Sequence, residues 1–409
     1  MIRSAAFLAT LTAGAVLFLA ASCGGGSDGA PDASQSQSTT QPQQSQVSSQ
    51  PEQSQASNQP EQPAAGNQPQ QSPAANLQQL SNTAARYVAV DLHSSVYRDT
   101  GAYGMAEGEQ VGSGYWHPYP GPGFSHALVW RGSASTVVDL HPNGSIYFST
   151  IAVATSGGVQ VGWGTHDDQW SHALKWTGSA GSVVDLHPKG FRESLAEGVA
   201  GDQIIGVGLG QTSDGSDHAL LWTSNGVVDL NASGLLEGSV GMATDGTQQV
   251  GYGRPVGCFN CGHALLWLGN ASSVVDLHPV SGFCYSQATG VGGGQQVGFG
   301  GCGPYGLPGR ALLWTGSAQS VVDLHPSGFS ETAAVAVAAG RQVGWGTTAD
   351  GSSHALLWNG TAGSVVDLHL FLPPGFVQSS ANGIDASGNV IGGANDAKGT
   401  HHAILWVRQ

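Results

Sequence analysis

The chain is 409 residues long and carries only 12 lysine and arginine residues against 27 aspartate and glutamate residues, a formal net charge of −15. This balance excludes a nucleic-acid-binding protein, because contact with a phosphate backbone needs a basic face. Apart from the first 22 residues, nearly all the large apolar side chains follow residue 85. That part, about 320 residues, is long enough for one large repeat domain.

The first 22 residues have the pattern of an export signal. Arg3 precedes an apolar run from Ala5 to Ala21, and a polar tract without stop-transfer charges follows, which is typical of a signal peptide rather than a membrane-spanning helix. The small residues before Cys23 resemble a bacterial lipobox, although Ala20 stands where that pattern usually has leucine. The resemblance implies a lipoprotein signal peptide over residues 1–22 and lipid attachment at Cys23. A plain secretory signal is the alternative.

Residues 23–85 consist mainly of Gln, Ser, Pro, Ala and Asn. Such a tract cannot bury enough apolar surface to offset its chain entropy, so we predict a disordered tether. A flexible coil of roughly 60 residues reaches about 45 Å. With a lipid at Cys23, we expect an exported protein anchored to the outer membrane or the cell surface, its folded head extracellular or periplasmic.

The rest of the chain repeats one unit. A His-Ala-Leu-Leu-Trp motif, or a close variant, occurs seven times, and so does a Val-Asp-Leu segment that ends in histidine in all copies but one. The motif tryptophans are separated by 44 to 48 residues and are Trp130, Trp176, Trp222, Trp267, Trp314, Trp358 and Trp406. A period of this length with strand-like content is typical of a β-propeller.

Each repeat predicts four short antiparallel strands separated by Gly, Asp, Asn and Pro. The region opens with a Val-Asp-Leu-His strand at 88–93 and closes with its hairpin partner at 402–406. Pairing these two strands would complete the last blade and remove the exposed sheet edges. We therefore predict an all-β fold, a seven-bladed β-propeller over residues 86–409, with four-stranded antiparallel blades and closure by pairing of the N- and C-terminal strands.

The repeat also resembles the HAF-type extracellular repeats of bacteria. The likeness covers residues 88–406 and rests on the Gln-Val-Gly, His-Ala-Leu-Leu-Trp and Val-Asp-Leu-His motifs. The family usually has Phe after His-Ala and Gly after Asp-Leu, which this chain lacks. The resemblance implies a β-propeller-like protein that is secreted or displayed on the surface, and it supplies no catalytic residues.

Histidine and aspartate recur in nearly every repeat, and 12 of the 15 histidines belong to the two motifs. Because every blade needs satisfied polar groups between packed sheets, we interpret them as a structural hydrogen-bond network. A ring of metal or proton sites is the alternative. We predict no catalytic residue, no metal and no cofactor. Asn231 and Arg310 replace motif histidines, and the sequence leaves open whether Arg310 marks a functional blade.

Function on a repeat scaffold usually lies where the loops break the pattern. The first two repeats have unusual segments before the His-Ala-Leu motif, rich in aromatic side chains and carboxylates that suit sugar rings or a proline-rich peptide. A loop that packs on its own aromatic residues is the alternative. The ligand-binding candidates are Tyr115, Trp116, Tyr119, Phe124, His166, Asp167, Asp168 and Trp170.

Four cysteines fall in neighbouring loops. Cys258, Cys261 and Cys302 precede motif strands, and Cys284 lies in the crossover between them, so all four should cluster on one face. In an exported protein they predict two disulfides of undetermined pairing, and a four-cysteine zinc site is the alternative.

The sequence predicts a cell-surface lipoprotein whose monomeric propeller head binds an extracellular glycan, peptide or protein. A polysaccharide hydrolase or lyase is the first alternative, although no nucleophile–base pair or cofactor motif stands out from the repeats. The second is a structural display or assembly module of the cell envelope.

Overall fold

The structure, a computed structural model, describes residues 86–117, 123–144, 146–211, 215–258, 261–303 and 309–409. The signal peptide and tether predicted before residue 86, the lipid attachment at Cys23 and the candidate Tyr119 lie outside these ranges, so those predictions stand untested. Within the ranges, none of the helices has the length and apolar character needed to cross a membrane.

The described chain forms 28 strands in seven antiparallel sheets of four strands each. Blades 1 to 4 comprise β2 (Asp99–Ala106), β3 (Glu109–Trp116), β4 (Phe124–Trp130) and β5 (Val138–Asp139); β6 (Tyr147–Ser156), β7 (Val159–His166), β8 (Ser171–Trp176) and β9 (Val184–Asp185); β10 (Glu193–Ala200), β11 (Gln203–Leu209), β12 (His218–Thr223) and β13 (Gly226–Asp229); and β14 (Leu236–Thr244), β15 (Gln249–Pro255), β16 (His263–Trp267) and β17 (Val275–Asp276).

The remaining blades follow the same plan, except that blade 7 takes its outermost strand from the start of the domain. Blades 5 to 7 comprise β18 (Tyr285–Gly292), β19 (Gln295–Gly301), β20 (Arg310–Trp314) and β21 (Val322–Asp323); β22 (Phe329–Ala338), β23 (Arg341–Thr348), β24 (Ser353–Trp358) and β25 (Val366–Asp367); and β26 (Phe376–Ile384), β27 (Val390–Asp396), β28 (His401–Arg408) and β1 (Tyr87–Asp91). Single-turn 3-10 helices lie at Ala134–Thr136, Ala180–Ser182, Ala271–Ser273, Ala318–Ser320, Ala362–Ser364 and His369–Phe371.

The sheets form a closed ring. The first strand of each blade contacts the first strand of the next, and β26 contacts β2 across the point where the ring closes. There β1 pairs antiparallel with β28, with Tyr87 opposite Arg408 and Asp91 opposite Ile404. The predicted seven-bladed β-propeller, closed by its terminal strands, is confirmed.

The glycine of each Gln-Val-Gly motif permits close approach of the two innermost strands. A Cβ atom on Gly162 would lie 2.0 Å from the carbonyl oxygen of Ile151 on β6, far inside van der Waals contact. The same clash, at 1.9 to 2.0 Å, arises at the matching glycine of every blade. This position therefore excludes any side chain.

The core lies between the blades. Six of the seven motif tryptophans are fully buried, and Trp222 is 6% exposed. One core cluster joins Val111 and Val129 of blade 1 to Leu174 and Trp176 of blade 2. Because each blade completes its apolar core only against a neighbour, the ring folds as one unit.

The glutamine of the Gln-Val-Gly motif forms hydrogen bonds between neighbouring blades. It lies at the opposite end of its blade from the motif histidine. Gln160 donates to Glu109 Oε1 of blade 1 at 2.6 Å, and its own Oε1 accepts the backbone N–H of Gly178 at 2.7 Å. Gln249 and Gln342 make corresponding bonds to their preceding blades, at 2.8 and 3.0 Å.

Candidate functional site

The motif histidine and aspartate form a hydrogen-bond relay that crosses from each blade to the next. In blade 1, His126 Nδ1 lies 2.7 Å from Asp139 Oδ2, and Asp139 Oδ1 accepts the backbone N–H of His141 at 2.8 Å. His141 Nδ1 lies 3.0 Å from the hydroxyl of Thr150 on the first strand of blade 2. That hydroxyl also accepts the N–H of Ala127 at 3.0 Å, so it joins the two blades from both sides.

The relay recurs in all seven blades. In two of them a different residue makes one of the bonds: Arg310 takes the place of the third-strand histidine, and Asn231 takes the place of the histidine two positions after the aspartate. Each copy runs from a third-strand side chain through the aspartate and the residue two positions later to a hydroxyl of the next blade. The copies are His126–Asp139–His141–Thr150, His172–Asp185–His187–Ser194, His218–Asp229–Asn231–Ser239, His263–Asp276–His278–Ser286, Arg310–Asp323–His325–Thr332, His354–Asp367–His369–Ser379 and His402–Asp91–His93–Thr100.

The second histidine of the relay is neutral near neutral pH. The Thr150 hydroxyl, which accepts from the N–H of Ala127, lies 3.0 Å from His141 Nδ1. Burial, and then the charge of the neighbouring His126, lowers the pKa of His141 to about 4. Burial and His354 act in the same way on His369, whose pKa also falls to about 4. The network therefore links each blade to the next through hydrogen bonds, and its interpretation as purely structural stays a prediction.

The substituted repeats keep this arrangement. Arg310 Nη2 lies 2.7 Å from Asp323 Oδ2, where other blades place a histidine. Asn231 receives the hydroxyl of Ser239 at 2.9 Å. Arg310 therefore pairs with the relay aspartate, as the histidine at this position does in the other blades. The motif tryptophans stand outside the relay: Trp222 and Trp406 donate to backbone oxygens, of Leu186 and Leu368, in the preceding blade.

Blades 1 and 2 differ from the other blades by a tyrosine beside the relay aspartate. Tyr97 donates to Asp139 at 3.1 Å and Tyr147 donates to Asp185 at 2.8 Å. Burial and the adjacent carboxylates raise the pKa of both hydroxyls, so both remain donors. In blade 7 the ring packed on the relay histidine is Phe376, which has no hydroxyl.

A further ring lies on the relay histidine in the same two blades. Trp116 packs on His126 with ring centroids 5.4 Å apart, and His166 stacks on His172 at 4.3 Å with an interplanar angle of 7°. Trp116 and His166 occupy the same position of the repeat, two residues after the glycine that pairs with the relay histidine. The candidate residues of the two blades are thus equivalent in the fold.

Among the described residues, exposed Trp, Tyr and Phe side chains are confined to these two blades. In the part of the chain that the structure describes, three Trp, Tyr or Phe side chains are exposed: Trp116 and Trp170 at 38% each and Phe148 at 52%. Ile146, at 50%, lies beside Phe148 in the crossover from blade 1 to blade 2. We call Trp116, Ile146, Phe148 and Trp170 the aromatic face.

Hydrogen bonds hold the two sides of the aromatic face together. The N–H of Ser125, one residue beyond Phe124, donates to the hydroxyl of Ser149, one residue beyond Phe148, at 3.0 Å. The Ser149 hydroxyl donates back to the Ser125 carbonyl at 3.2 Å. Trp116 pairs with Phe124 across β3 and β4, so the aromatic ends of both blades lie next to each other.

The structure corrects one expectation about blade 1. The sequence predicts Tyr115, Trp116 and Phe124 in a loop, but they lie in the paired ends of β3 and β4. Of these three, Trp116 is the exposed one, whereas Tyr115 and Phe124 are half-buried. The pairing of β3 with β4 continues past the repeat motif as far as Trp116 and Phe124.

The blade 2 candidates lie together in one tight turn. His166 donates its backbone N–H to Trp170 at 2.9 Å, and Asp168 Oδ1 accepts the N–H of Trp170 at 2.9 Å. His166 Nδ1 lies 2.9 Å from Asp167 Oδ1. The Arg192 guanidinium lies 4.7 Å above the Trp170 ring and covers one of its faces.

Sequence reasoning missed Ile146 and Phe148. Phe148 stands where blades 3, 5 and 6 have Arg192, Cys284 and Ser330. An aromatic residue at a position that is polar in most repeats is a signal in the sequence. It points to the same two blades as the other candidates.

The four candidate cysteines form two disulfides, Cys258–Cys261 and Cys284–Cys302. The first closes a short loop of blade 4, and the second joins the crossover into blade 5 to the loop after β19. The prediction of two disulfides is confirmed, and the pairing is now defined. The thiols are therefore not arranged as a four-cysteine zinc site.

Comparisons with known proteins support the fold and carry no information about the activity. No protein-family model matches the chain, and no curated protein matches it either. Among solved structures, puromycin hydrolase is similar with a TM-score of 0.52 and 12% identity, over 79% of this chain and 55% of that one. The β-propeller domain of the Trilobed protease from Pyrococcus furiosus has a TM-score of 0.50 and 9% identity, over 76% and 95%.

These likenesses identify a β-propeller module. The chain spans about half the length of the puromycin hydrolase that it matches. The propeller domain of the Pyrococcus furiosus protease has an open velcro topology, whereas the present ring is closed by pairing of β1 with β28.

Proposed function

We propose that this β-propeller is a binding module, and that the aromatic face is where it engages an extracellular ligand. The single observation that carries the proposal is the confinement of exposed aromatic side chains, among the described residues, to two adjacent blades of an otherwise regular ring. Exposed aromatic residues clustered on a rigid support are typical of binding surfaces rather than of inert ones.

The composition of the aromatic face favours a polypeptide ligand. Ile146 and Phe148 add exposed aliphatic and aromatic surface beside the two tryptophans, and protein interfaces are built around such apolar anchors. One face of Trp170 is covered by Arg192, which leaves less of the indole for stacking on a sugar ring. An extracellular peptide or protein segment is therefore the proposed ligand, and a glycan is the second candidate.

The proposal puts this module outside the cytoplasm, on a lipid anchor at Cys23. Its support is the sequence pattern of residues 1–23 together with two disulfides in the head. Disulfides persist in exported proteins and are rare in reducing compartments.

Binding to peptide and glycan arrays tests the proposal. The exported chain should bind a polypeptide probe, and Phe148→Ala should weaken that affinity about tenfold or more, since truncating a hot-spot residue costs about 2 kcal/mol or more and about 1.4 kcal/mol is tenfold. Val280→Ala is the matched control, because Val280 is 80% exposed in the corresponding crossover into blade 5. Equal losses for the two variants, or no binding to either array, would reject the proposal.

A further inference from the structure

Carboxylates surround the end of the propeller that carries the aromatic face. Each blade places its relay aspartate at this end, and six of the seven aspartate side chains are 38–53% exposed although they accept the relay hydrogen bonds. These six are Asp91, Asp139, Asp185, Asp229, Asp276 and Asp323. The turn of blade 2 adds Asp167 at 55% and Asp168 at 45%, the latter between the imidazoles of His166 and His172.

The cations at this end leave most of that charge uncompensated. Its arginines each lie close to a carboxylate, and Arg310 is the one that pairs with a relay aspartate. The pairs are Arg98–Asp99 at 3.4 Å, Arg192–Glu193 at 3.8 Å, Arg254–Glu237 at 2.6 Å and Arg310–Asp323 at 2.7 Å. Among the described residues, Lys189 and Lys398 are the other cations there, fewer than the relay aspartates that remain.

The opposite end of the ring is different. Neutral glutamines such as Gln160 and Gln249 join the blades there, and Glu109 is paired with Arg131 at 2.9 Å. The chain has a formal net charge of −15 with histidine counted as neutral. The excess of negative charge in the propeller is therefore concentrated at the end that carries the aromatic face.

A basic ligand fits this combination of aromatic rings and carboxylates, because cations are attracted to the faces of indole rings and to carboxylates alike. The protein already contains one such arrangement: the Arg192 guanidinium lies 4.7 Å above the Trp170 ring and 3.8 Å from Glu193. Trp116 packs on His126 and is 38% exposed. It therefore offers a similar ring to a cation of the ligand.

The same charge disfavours other occupants of the aromatic face. An acidic glycan, an anionic lipid surface or the same face of a second copy of this chain would place like charges together. A neutral glycan would gain no charge attraction from the aspartates. Charge complementarity thus favours a basic polypeptide, in which cationic and apolar side chains occur together.

We propose that the aromatic face binds a basic polypeptide segment, whose lysine or arginine side chains pair with Asp167 and Asp185 while its apolar side chains pack on Phe148. The inference rests on the proposed function and deepens it, since it defines the charge of the ligand. The surrounding carboxylates also attract such a ligand from a distance and speed its association.

Binding of short synthetic peptides to the purified full chain tests the inference. Each peptide is made in matched versions that carry lysine and arginine, glutamine, or glutamate at the same positions between the same apolar residues. The basic version should bind most tightly. Raising the ionic strength from about 0.01 M to 0.15 M should weaken its binding, because the Debye length falls from about 30 Å to 8 Å. Binding of the glutamine version should change little with salt.

Asp167→Asn should lower the affinity for the basic peptide about two- to fivefold, the effect of one exposed charge pair, and leave that for the glutamine version unchanged. Asp202→Asn is the matched control, because Asp202 is exposed in the turn between β10 and β11 at the opposite end of the ring. It should change neither affinity. Phe148→Ala should weaken the binding of both peptides.

The outcomes separate this inference from the proposed function. The inference is overturned if Phe148→Ala weakens binding but the basic, glutamine and glutamate versions bind equally, or if Asp167→Asn has no more effect than Asp202→Asn. The aromatic face then remains a binding surface without a preference for charge. If no version binds, or if Phe148→Ala changes nothing, the proposed function is rejected and the inference with it.

Discussion

At the scale of single residues, the hydroxyl of Thr150 shows how the blades are joined. It is fully buried, accepts from Ala127 of blade 1 and shares a hydrogen bond with His141 Nδ1. A threonine in this role cannot be recognised in isolation. Its partners lie 23 and 9 residues away along the chain, and only the ring brings them together.

Replacing Thr150 by valine should destabilise the protein by about 1–3 kcal/mol, because the buried N–H of Ala127 and the Nδ1 of His141 both lose their partner while the shape is kept. Denaturant unfolding of the variant measures this change. Thr361→Val, at an exposed position, should change stability by less than about 0.5 kcal/mol. A loss no larger than that of Thr361→Val would contradict the relay as a link between blades.

Within the described ranges, Glu197 is a buried carboxyl that the fold holds in its protonated form at neutral pH. It lies in a bulge of β10, and its Oε1 has no hydrogen-bond partner there. Burial raises the pKa of this carboxyl to about 8, so the folded protein keeps the proton that the unfolded chain releases near its ordinary pKa of 4.5. The folded state binds more protons between these values, and stability from this group falls as pH rises from about 4.5 to 8.

Glu197→Gln should therefore raise the unfolding temperature at about pH 9 and change it little at about pH 4. Thermal unfolding at the two pH values measures the difference. Glu107→Gln, on an exposed turn, serves as the control. An equal effect of Glu197→Gln at both pH values would show that the carboxyl is not held neutral in the fold.

At the scale of elements, the second strand of each blade depends on a glycine that no other residue can replace. Gly162→Ala would place a Cβ 2.0 Å from the Ile151 carbonyl, so β6 and β7 would have to separate. We expect a loss above about 3 kcal/mol, in the range of severe overpacking. Gly181→Ala, where the Cβ meets nothing within 4 Å, should be close to neutral, and denaturant unfolding of both variants compares them.

The strands can be predicted from the sequence far better than the site. Turn residues mark every blade and the Gln-Val-Gly motif marks five of the seven, because each blade must solve the same packing problem. The sequence predicts a loop at the ends of β3 and β4. In the structure, Tyr115, Trp116 and Phe124 instead continue the pairing of these two strands beyond the repeat motif. Phe148 is overlooked because its exposure depends on which face of β6 is turned to solvent. A bulge at this point changes the alternation of inward and outward side chains along the strand.

The pairing of cysteines is also beyond the sequence. Cys258 and Cys261 are close along the chain, but Cys284 meets Cys302 only because β18 and β19 form a hairpin. The carboxylate between His166 and His172 depends likewise on the tight turn that folds Asp168 back onto β8. The repeated motifs predict the features that all blades share. The candidate site consists of residues by which blades 1 and 2 differ from the other blades.

At the scale of the whole molecule, the relay histidines make stability sensitive to acid. The pKa of His141 and of His369 is lowered to about 4 by burial and by the neighbouring histidine, and that of His93, His187 and His278 is lowered from the same causes. Unfolded histidines take up protons near about pH 6.5, while these folded rings stay neutral.

The unfolding temperature should therefore fall steadily as pH drops from about 6.5 to 4, because the unfolded state binds more protons over this window. Calorimetry at several pH values measures this. Replacing His141 by glutamine should make the decline shallower, even though it costs stability at neutral pH. An unfolding temperature that is constant from about pH 6.5 to 4.5 would contradict a ring of neutral, half-buried histidines.

The central claim, that the aromatic face of blades 1 and 2 is the binding surface, is tested most directly by hydrogen–deuterium exchange with and without a ligand found on the arrays. Bound ligand should slow exchange at residues 115–117, 146–149 and 166–170 and leave the corresponding segments of blades 4 and 5 unchanged. Protection centred on the disulfide loops of blades 4 and 5, with none on the aromatic face, would contradict the account.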